Sequence, residues 1–257
     1  MSLSPTSAVR ETGRLFALFL DVGRLSFRRP FQWRELVQQA WFIASVTILP
    51  TALVAIPFGA VIALQLGSLT EQLGAQSFAG GAGVLATVRE ASPIVTALLI
   101  AGAGGSAICA DLGSRKIRDE IDALEVLGIS PTQRLVVPRV FAAMIVAVLL
   151  NGLVSVVGVA GGYFFNVLLQ GGTPGAYMAS FSALAQLPDL YVSELKALLF
   201  GLLAAVVAAY KGMHAGGGPK GVGEAVNQSV VITFMLLFFV NFIITALYFQ
   251  IVPAKGA

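Results

Sequence analysis

The sequence predicts an all-α polytopic membrane protein: five transmembrane helices, an N-terminal interfacial amphipathic helix and a cytoplasmic helix between the second and third spans. Three observations carry that prediction. First, 57% of the 257 residues are hydrophobic and only 11% charged, where an average soluble domain is about a quarter charged. Second, five segments reach the roughly 20 apolar residues that a bilayer crossing requires. Third, the Lys and Arg residues gather on one side of those segments. No strand alternation or internal repeat stands out.

Residues 1–39 form a cytoplasmic N-terminus. Leu15, Phe16, Phe19 and Phe27 interleave with Arg14, Arg24, Arg28 and Arg29, a pattern that lays an amphipathic helix on a membrane surface. The run LFALFLDVG is too short for a signal peptide, is interrupted by Asp21, and has no A-x-A-like cleavage site after it. Residues 40–257 form the membrane domain, with spans near 40–66, 83–109, 135–169, 191–210 and 229–252. Pro50 and Pro57 each remove a backbone donor, so the first span is expected to bend, break or re-enter. The third is too long for an upright helix and should tilt or project.

Thirteen of the sixteen bases lie before span one, between spans two and three, or between spans four and five. Arg139 is counted in the second of these groups. Only Arg89, Lys196 and Lys255 fall elsewhere. The positive-inside rule then puts the N-terminus in the cytoplasm and the C-terminus outside.

The stretch ADLGSRKIRDEIDALEVLGISP holds eight of the chain's 29 charges. Opposite charges four apart, Arg115 with Asp119, Lys116 with Glu120 and Arg118 with Asp122, support a helix near 111–128. Gly128 suits its C-terminal cap and Pro131 prevents continuation. Ile117, Ile121 and Leu124 form an apolar stripe. Such a helix is marginal alone and needs a surface to pack on. A solvated loop helix and a docking element for a cytoplasmic protein both fit these residues.

Other chemistry is scarce. A single His214 and a single Cys109 leave no multi-histidine metal or haem site and no internal disulfide, and the chain offers no His within a span and no obvious Ser–Lys or paired-carboxylate arrangement. No G-x-x-x-x-G-K-[ST] loop occurs, so any ATP would bind on another chain. Gly102-x-Gly104-x-x-Ala107 lacks the βαβ context of a dinucleotide site. Gly102 with Ser106, Gly105 with Cys109, and Gly158 with Gly162 are small residues four apart, suited to close helix packing. Arg89 and Glu90 lie at the start of span two, either as an interface pair met by headgroups or as a polar point on a substrate path, paired with each other until substrate arrives. Lys196 reads as a snorkelling residue and His214 as a solvated loop residue.

The segment AGAGGSAICADLGSRKIRDEIDALEVLGISPTQRLVVPRV, residues 101–140, resembles the signature of MlaE/YrbE-type permeases: A-G-x-x-G-[ST]-A, [DE]-L-G, E-x-I-D-A-[LM], G-[IV]-x-P and L-V-x-P-R. The phrases AICADLG and GGPKGVGEAVN are most similar to the A-type YrbE subunit of actinobacterial Mce systems. Ala103 stands where many MlaE proteins carry Arg, and Asp111 where many carry Glu. The resemblance implies a non-catalytic permease subunit of an ATP-driven lipid transporter. It binds no cofactor, and ATP and Mg sit on a separate ATPase dimer. It implies a B-type YrbE partner in a pseudo-symmetric pair, an MCE assembly (a hexamer), and fatty acids, sterols or related lipids moved inward. It makes Arg115, Lys116, Arg118, Asp119, Glu120, Asp122 and Glu125 the ATPase-coupling helix and Arg89 and Glu90 a candidate lipid path. No nucleic acid is implied. A passive scaffold for MCE proteins and an intramembrane lipid-modifying enzyme are the competing readings.

The topology has a direct test. A label after Ala257 should be reachable from outside the cell and one at Ser114 only from the cytoplasm. Two labels reached from one side would end the five-span reading.

Overall fold

The computed structural model describes residues 5–28, 31–75 and 78–251, with side chains from residue 9 onward. Arg29, Lys255 and the C-terminal end on which the external assignment rests lie outside the described residues. Within them the chain is helical and holds no strand. In order come α1 (Pro5–Leu25), α2 (Trp33–Gln72), α3 (Ala79–Ile117), α4 (Glu120–Val126), α5 (Thr132–Leu169), α6 (Pro174–Leu184), α7 (Leu187–Met213) and α8 (Gly218–Ile251). Five of these, α2, α3, α5, α7 and α8, are long and apolar enough to cross a bilayer. Each contains the span expected from the sequence over its described residues and extends beyond it at one end or both. At 1.5 Å per residue the 40 residues of α2 measure about 60 Å, against a hydrocarbon core of about 30 Å.

Two expectations are corrected. Of the outcomes expected at Pro50 and Pro57, the break and the re-entry are overturned, since the first span is one continuous helix through both. Beside Pro50, the Thr51 hydroxyl donates to the Thr47 carbonyl at 2.6 Å, the kind of side-chain support that lets a membrane helix accommodate proline. The helix expected over 111–128 is two helices. α3 runs on to Ile117, and Asp119 then adopts a left-handed conformation at φ 58°, which stops one helix and starts the next. As a result the expected pairings change. Lys116 meets Asp122 at 2.5 Å, and Arg118 meets Glu120 at 2.8 Å. The expected cap is present: Gly128 at φ 72° ends α4, with Gly128 N–H donating to the Glu125 carbonyl and Ile129 N–H to that of Leu124.

α3 is not uniform. Its turns widen to π geometry at Thr87–Ala91 and Ile100–Gly105. The first carries Arg89 and Glu90, the second the whole AGAGG run. Such widenings concentrate at functional sites.

The residues group into two compact units. One takes the chain up to Val46, then Ile100–Val146 and Phe200–Leu237. Its core holds Ile43, Ile108, Leu112, Val136, Val140 and Phe200, all nearly inaccessible. Here α7 presents a small-residue face, and a Cβ on its Gly212 would stand 2.8 Å from the Cys109 carbonyl oxygen of α3. α1 is bound to this unit through Leu18 and Val22, and through the Glu11 carboxylate paired with Lys211, while Phe16 and Phe27 remain exposed.

The other unit takes Thr47–Leu99, Ala147–Leu199 and the chain from Phe238. Ala55, Val95 and Val154 centre its core, with Leu99 and Val157 against them. A Cβ on Gly59 of α2 would lie 2.5 Å from the Gly158 carbonyl oxygen of α5, and one on Gly158 would lie 2.8 Å from Thr87 Cγ2 of α3. Gly158 therefore does the close packing expected of it. Gly162 and Gly105 face neighbours at ordinary contact distance, and Ser106 is half-buried. Gly102 is a correction, since nothing lies within 4 Å of a Cβ there. Its turn is a π-turn, which displaces it from the face that α-helical spacing assigns.

These contacts separate two glycines of like sequence context. Gly59→Ala should destabilise the purified chain by about 1–3 kcal/mol through overpacking, and Gly102→Ala should leave it within about 0.5 kcal/mol. Thermal unfolding in one detergent compares them, and equal effects would contradict the described packing.

Candidate functional site

In the unit around Gly158, the π-turn of α3 turns Arg89 and Glu90 toward different partners. Arg89 Nε donates to Asp189 Oδ1 at 2.6 Å. Its guanidinium carbon lies 5.3 Å from the centre of the Tyr248 ring, whose hydroxyl donates to the same carboxylate. Asp189, 3% exposed, also accepts from the Gln186 backbone at 3.1 Å. This is the reach-back of an acidic residue in the first turn of a helix, here α7. Glu90 accepts from Lys196 Nζ and the Thr245 hydroxyl, both at 3.0 Å, and from Asn241 Nδ2 at 3.2 Å. Lys196 Nζ donates in addition to the Arg89 carbonyl at 3.0 Å.

Arg89 and Glu90 thus do not neutralise each other. Each is neutralised across helices by α7, and α8 adds polar contacts to both pairs. Lys196, 2% exposed, is an internal counter-ion rather than a snorkelling residue. Two bases and two acids balance at this place, which is what makes their burial tolerable. Asp189, Asn241, Thr245 and Tyr248 were not legible as members of the site. Only Asp189 carried a signal, as an acidic residue two positions after Leu187 at a helix start.

The same unit holds an apolar groove of about 510 Å³ lined by Val84, Val88, Val159, Tyr163, Tyr177 and Phe181. Burial pushes the Tyr177 hydroxyl up to about 12, so it stays protonated and donates to the Val159 carbonyl at 3.4 Å.

In the other unit the charged stretch forms a continuous ionic chain. Arg139, counted among the loop bases, is instead fully buried in α5. Its guanidinium meets Asp111 Oδ2 of α3 at 2.5 Å and Glu35 Oε1 of α2 at 3.6 Å, and donates to the Leu135 carbonyl at 2.7 Å. Asp111 Oδ1 accepts from Arg115 at 3.2 Å. Arg115 reaches Glu120 at 3.5 Å, and Glu120 takes Arg118. Charge contacts therefore lead from a buried guanidinium to the first turn of α4. The motif elements D-L-G and L-V-x-P-R, 28 residues apart, meet as one ion pair.

α4 buries Ile121 and leaves Val126, Leu127 and Ile129 exposed at 88%, 72% and 43%, an apolar tip beside charged residues of the kind that marks a contact surface. Asp119 and Glu125 are exposed. A cavity of about 580 Å³ opens beside α4, lined by Arg14, Asp21, Lys116, Asp122, Glu125 and His214. His214 is exposed as expected, with Nδ1 2.8 Å from the Tyr210 carbonyl oxygen. Among the described residues no group of three or more His, Cys, Asp or Glu could hold a metal ion.

The residue pattern of the family described as permease MlaE matches residues 36–247. The chain is 32% identical over 238 residues to a "Probable ABC transporter permease protein" of Rickettsia typhi, an alignment covering 92% of each. It is 33% identical over 240 residues to a protein of the same description from Synechocystis, covering 93% of this chain and 88% of that one. Identity to the intermembrane phospholipid transport system permease protein MlaE of Haemophilus influenzae is 28% over 243 residues, covering 93% and 92%.

Asp111→Ala should cost about 3–5 kcal/mol by leaving the Arg139 guanidinium buried with little compensation. Replacing both partners, Asp111→Leu with Arg139→Met, should recover most of that loss. Thermal unfolding of single and double variants checks it, and a double variant as unstable as the sum of its singles would refute the pairing.

Proposed function

The chain belongs to the MlaE family of permeases, and from that premise we propose that α4 couples it to an ATPase and that it moves hydrophobic lipid across the membrane. Membership makes it a multi-pass ABC transporter permease rather than an enzyme. The finer reading is of an A-type YrbE subunit of an actinobacterial Mce system. It pairs with a B-type YrbE chain, sits on two ATPase subunits that hold ATP and Mg, and carries an MCE hexamer on its outer side. The membrane is the plasma membrane, the N-terminus and α4 are cytoplasmic, and fatty acids, sterols or related lipids move inward.

The observation that carries the coupling role is the ionic chain from Arg139 through Asp111 and Arg115 to Glu120. A force applied to α4 acts on charges that are bonded into α2, α3 and α5. A solvated loop helix has no need of a buried guanidinium at its root. The exposed apolar tip at Val126, Leu127 and Ile129 supports a protein partner there, and the surrounding charges suit a partner chosen by electrostatic complementarity.

Two further features support the transport reading. α3 widens where Arg89 and Glu90 leave it, and the balanced charges there suit a path that lipid headgroups pass. α8 keeps Phe238, Phe239, Phe242 and Leu247 exposed, which supports a second permease chain or lipid against that face. The Haemophilus influenzae relative is named for phospholipid transport, a lipid class that joins the candidates.

Reversing charge with Glu120→Arg and Asp122→Arg should release the ATPase from purified complex and abolish permease-dependent ATP hydrolysis. Both residues are half-exposed or exposed, and each lost pair is worth only about 0.2–1 kcal/mol to folding. The permease itself should therefore remain folded and paired. ATPase that co-purifies at parental yield and hydrolyses ATP at the parental rate would remove α4 from the interface.

A further inference from the structure

α1 has two apolar faces. On one, Leu18 and Val22 are buried against the unit that holds α4, and Glu11 on the same side pairs with Lys211 of α7. On the other, Val9, Phe16 and Leu20 are exposed. At about 3.6 residues per turn these three line up opposite Leu18, and Phe27, also exposed, follows in the turn after the helix.

The two flanks between these faces differ. One carries Arg10, Arg14 and Arg24 within about 80° of one another, with Asp21 among them. The other carries Thr12 and Phe19 and, among the described residues, no charge. Arg28 stands in the turn, where its N–H donates to the Leu25 carbonyl at 3.1 Å and its carbonyl accepts from Gln133 of α5 at 3.5 Å. Among the described residues no ion pair reaches Arg10, Arg14, Arg24 or Arg28. Arg10 and Arg14 are like charges four apart, a spacing that disfavours a helix unless an anion offsets it. An uncompensated basic flank beside an exposed apolar face is the pattern of a helix seated at an anionic lipid surface.

The aromatic residues mark the level of that surface. The chain's two tryptophans, Trp33 and Trp41, are both exposed, and both lie in the first turns of α2, just after the turn that carries Arg28. Tryptophan concentrates at the headgroup boundary of membrane proteins. Phe31 holds Trp33 there, with ring centres 4.7 Å apart, and Phe141 of α5 meets Phe31 at 5.8 Å.

We propose that α1 and the turn after it bind anionic phospholipids of the cytoplasmic leaflet: Val9, Phe16, Leu20 and Phe27 enter the acyl region, and Arg10, Arg14, Arg24 and Arg28 hold the acidic headgroups. A guanidinium presents a planar fork of donors that matches a phosphate. A zwitterionic headgroup carries its own cation and gains little from the same arginines. Lipid held here lies beside the cavity that Arg14 and Asp21 share with α4. The binding rests on the membrane reading of α2 and is independent of which lipid is carried.

Trp33 and Trp41 make the test optical. The purified full chain is reconstituted in phosphatidylcholine bilayers that contain brominated phosphatidylglycerol or brominated phosphatidylcholine, since bromine quenches tryptophan on contact. The anionic lipid should be preferred at the tryptophans by at least about fivefold, the effect of one base near an anionic surface. Arg24→Gln with Arg28→Gln should remove most of that preference, and Arg34→Gln, which removes an exposed base of α2, should keep it. Phe16→Trp in a chain with Trp33→Phe and Trp41→Phe reads the other end of α1, where Arg10→Gln with Arg14→Gln should have the same effect. Raising salt from about 0.1 M to about 1 M should shrink the parental preference, as the screening length falls from about 10 Å to about 3 Å.

Equal quenching by the two lipids in the parent would overturn the proposal while leaving α2 in the bilayer, and no quenching by either would remove the membrane placement as well. A preference that survives all four Gln substitutions would also overturn it, by assigning the arginines to an acidic protein partner such as the ATPase. All four arginines are exposed, so the variants should fold. Should they not, a parental preference unmoved by salt decides against the proposal, and one lost in salt decides for it.

Discussion

Charge placed among helices that face hydrocarbon has to be neutralised where it stands, and the polar architecture of this chain follows from that requirement. Arg139 is fully buried and is met by Asp111, by Glu35 and by a backbone carbonyl. Arg89 and Lys196 are met by Asp189 and Glu90. Each of these pairs joins different helices. In an aqueous interior such pairs add little net stability. In a bundle with no hydrophobic drive between apolar helices, they select which faces of the helices meet.

The helices adapt locally to place these groups. At Thr87–Ala91 the wider turn shifts the register of α3, so that consecutive residues Arg89 and Glu90 reach different partners on α7. The Arg89 carbonyl then accepts from Lys196, so the disturbed backbone and the buried ammonium satisfy each other. Hydroxyls serve the same end: Thr51 and Thr87 donate to carbonyls one turn back. Where side chains are absent the backbones come close, as Gly59 and Gly158 do. A membrane helix can depart from regular geometry only where its neighbours supply what is lost, and these departures all sit against neighbours.

The left-handed residue Asp119 has a separate consequence. It divides what local charge spacing favours as one helix, and the division turns α4 so that Glu120 receives Arg115 from α3 and Arg118 beside it. The short helix is then attached through ion contacts as well as through Ile121. A helix of seven residues has negligible stability of its own, so its position reports the state of the helices that hold it.

The sequence by itself determined the class of the protein, its five apolar crossings, the N-terminal amphipathic segment, the charged segment between the second and third crossings, and the motifs that identify the family. These are properties of composition and local order. Hydrophobic length sets which segments enter a bilayer, and Gly128 caps a helix wherever that helix lies. Tertiary structure alone decided the pairing of Asp111 with Arg139, of Arg89 with Asp189 and of Glu90 with Lys196, because those partners are separated by 28 residues or more and no local rule connects them. It also decided that α2 stays helical through two prolines, that Gly158 rather than Gly102 makes the close approach, and that Asp119 breaks the charged helix. For the ion pairs and the glycine contact the deciding energy is a contact across helices, between residues far apart along the chain.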